Sequence, residues 1–263
     1  MWETRRFLVL VKTYPNPSAS TQEAVCTAAI DEDGKLTRLF PIPFRTLAES
    51  QRFKKWQWIR ARVQKAAKDN RQESYKVDYA SIEPLEEMPA GRGWAARWAL
   101  VEHLIQPSVE AVCDSGASLG LIKPRNYSLK IEKARDKDWS QDEIQKMLPR
   151  EGATDLLGTP LTPRTMLERL PVQMRYVFDC SNDAAQHDFI FEDWEVGASW
   201  RSWRKRYPNP AVLRAAFINK YVEEPTAKDN MYFFLGNNYK RQYIWMVIGQ
   251  VRPEHLARKA SPR

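Results

Sequence analysis

The chain has 263 residues, 43% of them hydrophobic, and no apolar run near the roughly 18 residues that a membrane-crossing helix needs. Its three cysteines are odd in number, far apart and without a C-x-x-C, which argues against a disulfide framework and a conventional zinc knuckle. The net charge of +8 is concentrated: Gln51–Arg71 carries eight basic residues and one acid, Val196–Val222 carries six and none, and the rest sums to −5.

The start, MWETRRF, enters LVLV without a small-residue cleavage pattern, so a cytoplasmic location and no membrane partner are expected. Phe7–Lys12 is a short apolar strand, and Thr13–Ser20 is a loop because two prolines bar regular pairing. Glu23–Ile30 and Lys35–Ile42 form a hairpin through DEDG, with Cys26 as a small core residue. In Lys55–Gln64, alternation sets Trp56, Trp58, Arg60 and Arg62 against Ile59, Ala61 and Val63. If the apolar set faces inward, the rings and cations face outward together. Tyr75–Ile82 is a further strand. These elements predict a small barrel or a twisted antiparallel sheet.

Trp94–Ile105 has a helical stripe, and Ser108–Cys113 is a short second helix. SGASLG (115–120) is an ordinary loop, since it lacks the GK[ST] ending of a phosphate loop. Tyr127–Ile131 is a strand. Ser140 and Glu143 form a capping box, with Trp139 and Ile144 as its staple. Residues 151–160 read as a linker, and Thr162-Pro163 opens another short helix.

Met174–Cys180 and Phe189–Phe191 read as a second hairpin. Asp193 then caps a helix with Trp194, Val196, Trp200 and Trp203 on one face. Ala211–Tyr221 is helical, and Met231–Leu235 and Tyr243–Val251 form the last hairpin through GNNYKRQ, before a frayed basic tail. The fold class is α+β: a β-rich module over 1–155 with a helical extension, and a smaller α/β module over 156–263. No internal repeat is legible. TYPNPS, RLFPIPFR, SLGLIKP and FEDWEVG look like signatures, with no described activity attached.

Cations beside rings suit a polyanion, because Lys and Arg displace counterions from phosphates and flat rings stack on bases. The expected function is non-catalytic binding of nucleic acid, as a component of a DNA- or RNA-processing or defence complex, with no cofactor or metal. Arg52, Lys54, Lys55, Trp56, Trp58, Arg60 and Arg62 form one candidate patch. Trp200, Arg201, Trp203, Arg204, Lys205 and Arg206 form the other. The blander alternative is a solvated charged face whose tryptophans turn inward. A rival reading gathers His187, Asp188, Asp193 and Glu195 around Mg²⁺ as a nuclease. Against it, no E-x-K is present, and helix capping already explains Asp193. A third reading is a scaffold for an acidic protein. Where the four indoles point discriminates among them.

Overall fold

A computed structural model describes residues 1–90, 94–148, 166–181 and 185–253. The first unit contains β1 (Glu3–Lys12), β2 (Asn16–Ser18), β3 (Gln22–Asp31), β4 (Leu36–Ile42), β5 (Gln57–Lys65) and β6 (Ser74–Glu87). β1, β3, β4, β6 and β5 close a five-stranded ring, because β1 pairs with both β3 and β5. Every pair in the ring is antiparallel except β4 with β6. β2 adds to the outside of β3.

After α1 (Ala95–Ala99), β7 (Ile105–Gln106) and α2 (Val109–Asp114) come β8 (Leu119–Ile122), β9 (Arg125–Lys133) and α3 (Gln141–Met147). β10 (Val172–Asp179) and β11 (His187–Phe191) lead into α4 (Trp194–Arg206), α5 (Pro210–Ile218) and α6 (Glu224–Lys228). β12 (Tyr232–Asn237) and β13 (Trp245–Val251) end the described chain. The second sheet runs β7-β8-β12-β13-β11-β10-β9. Only Lys123 and Pro124 separate β8 from β9, yet they lie toward opposite edges, β8 on β12 and β9 on β10. Taken as one bent strand, β8–β9 gives the order of the first ring, again with the third and fifth strands parallel (β11 with β13). Both units are therefore Greek-key barrels of the OB type, the second left partly open. The α+β class holds. The repeat is invisible in the sequence because it lies in strand order, not residue identity.

The division between the units falls between β6 and β7, not in the expected linker at 151–160, because β9 pairs with β10 across that stretch. The expected linker, the helix at Thr162-Pro163 and the tail beyond Pro253 lie outside the described residues. The expected helix over Trp94–Ile105 is only one turn, α1, followed by a 3-10 turn at Glu102–Leu104 and β7. The capping box at Ser140 and Glu143 is formed.

The run FLVLV is continuous because β1 is buried on both faces. Phe7 and Val9 fill the first barrel together with Val25, Ala29, Ile59 and Val63. Leu8, Leu10 and Val11 face outward and, with Ala28 and Ile30, meet Leu119, Leu121, Phe234, Ile248 and Val251 of the second barrel. An apolar layer thus joins the units. Polar bonds lock its edges: the buried Arg38 guanidinium donates to Ser118 Oγ (2.7 Å) and to the Ser118 carbonyl (2.8 Å). Arg71 donates to the Asn237 carbonyl at 2.8 Å.

The four signature stretches meet at this junction. Thr13 bridges Asp193, and the Tyr14 hydroxyl donates to the Glu168 carbonyl at 2.6 Å. A Cβ on Gly197 would stand 2.4 Å from the Tyr14 ring, so only glycine lets that ring seat on α4. Phe44 of RLFPIPFR meets Trp194 of FEDWEVG edge-on, with centroids 5.4 Å apart.

Candidate functional site: a cationic cleft between the barrels

The two sequence-predicted patches are largely dismantled. On β5, Trp58, Arg60 and Arg62 do face outward, but β6 supplies a carboxylate to each cation. Arg60 pairs with Glu83 (3.0 Å) and Arg62 with Asp78 (3.5 Å), each directly across the ladder. Lys54 pairs with Glu87 at 2.6 Å. Trp58 is half-buried beneath the Arg6 guanidinium, 5.2 Å from its ring centroid. Trp56 precedes the strand and is only 5% exposed. Arg52 is exposed, with no ion pair among the described residues.

On α4, Trp200 is 5% exposed and packs on Phe217, with centroids 5.0 Å apart; Trp203 lies half-buried against Phe217 and Tyr207. Arg201 lies over Tyr14, and Arg204 pairs with Glu168. Arg204, Lys205 and Arg206 fill the last turn, where the negative end of the helix dipole favours cations. The indoles of Trp56 and Trp200 therefore belong to the interior, contrary to expectation. Trp200 lies on the apolar face of α4 with Trp194, Val196 and Trp203, and Trp56, before β5, packs into the layer between the barrels.

The four residues of the acidic cluster do not converge on one point; only Asp193 and Glu195 meet, at Lys55. Asp188 bonds Lys130 (2.9 Å) and Arg175 (2.7 Å) on the β9–β10–β11 surface. His187 lies against Phe178 and Phe189, both centroids 5.2 Å away. Asp193 Oδ1 caps α4, accepting from the Glu195 and Val196 amides at 2.7 and 3.2 Å. Among the described residues no three His, Cys, Asp or Glu side chains gather as a metal site.

The structure brings other residues together. Asp193 Oδ2 and Glu195 Oε2 accept from Lys55 Nζ at 3.0 and 3.2 Å, which ties the start of β5 to the start of α4. Burial pulls the Lys55 ammonium down, but the two carboxylates outweigh it and hold the amine well above the ordinary lysine value.

Beside this pair opens a cleft of about 600 Å³. β1 contributes Lys12 and the segment before β5 contributes Lys54–Trp56. α1 adds Arg97, with Trp94 at its start, and α4 adds Trp194 and Glu195. The turn before α6 and α6 itself supply Lys220, Glu224 and Lys228, followed by Asn230; Gln250 and Val251 come from the end of β13, and Arg252 follows it. Seven cations and two carboxylates line it.

Lys12 ends the apolar run of β1 and is 6% exposed. Its Nζ donates to the Phe53 carbonyl at 3.2 Å and sits 3.9 Å from the Phe44 ring centroid. Among the described residues no carboxylate pairs with it. Burial lowers its pKa to about 8; the Glu195 carboxylate opposes this, and the Lys55 ammonium adds to it.

Trp56 and Trp94 have φ of 61° and 58°, the left-handed region that bulky residues rarely adopt. Trp56 is held there by strong backbone bonds, its amide donating to the Val9 carbonyl and its carbonyl accepting from the Met88 amide, both at 2.7 Å. The two rings meet edge to face at 5.3 Å, with the Arg97 guanidinium 5.2 and 4.9 Å from their centroids. Such strain costs on the order of 1–3 kcal/mol per residue and clusters at functional sites.

Sequence reasoning missed Lys12, Trp94, Arg97, Lys220, Lys228 and Arg252. They come from five separate segments, and only Lys12, a lysine closing an unbroken apolar run, carries a local signal.

The family described as a domain of unknown function (DUF8758) matches residues 3–103, and a second so described (DUF8757) matches residues 104–263. The second match spans more than half of the chain, which therefore belongs to the DUF8757 family. The two matches meet at 103/104, between the strands of the first barrel and those of the second. No curated protein matches the sequence.

Proposed function

We propose that this member of the DUF8757 family binds nucleic acid without catalysis, with a phosphate seated in the cleft between its barrels. The observation that carries the reading is the Lys12 ammonium, buried on the cleft wall without a carboxylate partner among the described residues. The Phe53 carbonyl, the Phe44 ring and the Glu195 carboxylate offset the burial of that charge only in part, and an anion in the cleft would offset more of it. The unpaired cations Arg97, Lys228 and Arg252 around it and the half-buried Trp94 ring beside it support the same ligand class, since phosphates need charge and bases need aromatic surface. Lys228 is exposed on the cleft wall and adds a further cation with no ion pair among the described residues.

This reading replaces the two outward patches, because four of the five cations of the first are paired, Arg204 of the second is paired, and two of the indoles are buried. A nuclease centred on Asp193 is less favoured, as that carboxylate is spent on capping and on Lys55.

Fluorescence anisotropy with single- and double-stranded DNA and RNA across a salt series tests the proposal. Affinity should fall steeply with salt, by about 0.9 log units per log unit of salt for each duplex phosphate contacted and about 0.7 for single strands. No retention at low salt refutes it, and retention only of an acidic protein points to the scaffold reading instead. Cleavage of the same probes in Mg²⁺ or Mn²⁺ would refute the non-catalytic reading.

A further inference from the structure

Lys12 lies where the interior of a nucleic-acid strand fits poorly. Its ammonium is buried between the Phe44 ring and the Phe53 carbonyl. A phosphodiester reaching it would have to bring a sugar in on both sides. A cleft of about 600 Å³ has room for a group the size of one nucleotide.

The charge points the same way. A phosphodiester carries one negative charge, whereas a phosphomonoester, with a second pKa near 6, carries close to two at neutral pH. Of the seven cations that line the cleft, Lys54, Lys55 and Lys220 are paired with carboxylates, which leaves Lys12, Arg97, Lys228 and Arg252 with no ion pair among the described residues. The wall also holds an acceptor in search of a donor. Asn230 Nδ2 donates to the Pro253 carbonyl at 3.1 Å, which fixes the amide orientation and leaves Oδ1 buried and unbonded among the described residues. Asn230 is a lining residue, so its amide, once turned toward the cleft, offers an acceptor that a nucleobase N–H can use and a phosphate cannot.

Resting on the reading of the cleft as the nucleic-acid site, we propose that it recognises a nucleoside phosphomonoester, with the phosphate at Lys12 and the base near Trp94 and Asn230. That group occurs at the phosphorylated end of a strand and in a free mononucleotide.

The test is a titration of tryptophan fluorescence with one oligonucleotide sequence bearing a 5′-phosphate, a 3′-phosphate or only hydroxyl ends, and with AMP and inorganic phosphate. One phosphorylated end should bind about tenfold or more tighter than the hydroxyl form, the gain expected for charge-assisted hydrogen bonds. AMP should compete for it. Lys12→Met should erase the preference while its circular dichroism stays that of the wild type, and Trp94→Ala should weaken AMP but not inorganic phosphate.

Equal binding of all three oligonucleotides overturns end recognition and leaves the nucleic-acid reading standing. Binding of AMP with no oligonucleotide bound keeps the phosphomonoester, assigns it to a free nucleotide and discards the strand. Inorganic phosphate binding as tightly as AMP overturns the proposal, and no binding at all overturns both readings.

Discussion

Replacing Lys12 with methionine is expected to make the protein more stable at neutral pH. Methionine keeps an unbranched stem and removes the ammonium. Burial, opposed by Glu195 and Asp193 and reinforced by Lys55, lowers the folded-state pKa from 10.5 to about 8. At about 1.4 kcal/mol per unit, that depression amounts to about 3 kcal/mol of stability lost to the buried charge at pH 7. The unfolded chain keeps this proton up to its ordinary lysine value, whereas the folded chain releases it near 8. Between those values the unfolded state binds more protons, so wild-type stability rises with pH through that window. The variant lacks the group. Its advantage should therefore be about 3 kcal/mol at pH 7 and shrink toward zero as pH approaches the unfolded lysine value. Urea unfolding of both proteins from about pH 7 to about pH 10 measures the gap, since other titrating groups cancel in the difference. On heating, the same gap corresponds to roughly 6–12 °C in Tm at neutral pH. A gap that does not change with pH, or a variant less stable than wild type at pH 7, would refute the account of Lys12 as a buried cation only partly compensated.

Asp193→Ala should destabilise by about 3–5 kcal/mol, because it strips the cap of α4 and leaves Lys55 without its main partner. Adding Lys55→Met should recover part of the loss in a double-mutant cycle; strict additivity would mean that the two side chains are not coupled. Arg60→Ala with Arg62→Ala should leave nucleic-acid affinity within about twofold, since Glu83 and Asp78 already neutralise both, whereas Arg97→Ala with Lys228→Ala should lower it and flatten its salt dependence. The reverse ranking by anisotropy would restore the outward patch on β5. Trp200→Ala should cost about 3–5 kcal/mol in chemical denaturation, as a core truncation. Gly249→Ala should destabilise by about 1–3 kcal/mol, because a Cβ there would stand 2.7 Å from Val11 Cγ2 where the barrels meet; a neutral effect would show that this junction yields easily.

Local pattern was enough to place most strands, the DEDG turn, the capping box at Ser140 and the Asp193 cap of α4. These depend on neighbours within a few residues. α1 is shorter than its apolar spacing predicts because Trp94 takes a left-handed conformation that the spacing does not announce. Charge counted along segments points to a nucleic-acid patch on β5. Segment counts miss that the acids of β6 lie opposite the cations of β5, which is a matter of register.

What the sequence determined by itself was the alternation of buried and exposed positions, the caps, and a surplus of positive charge that calls for a counter-charge. What only the tertiary structure decided was which cations keep that surplus. Pairing across strands silences Arg60 and Arg62, while the meeting of two barrels gathers Lys12, Arg97, Lys228 and Arg252 from far along the chain into one cleft. The physical reason is that ion pairing depends on distances of a few ångströms, and those distances are set by the apolar layer that joins the barrels.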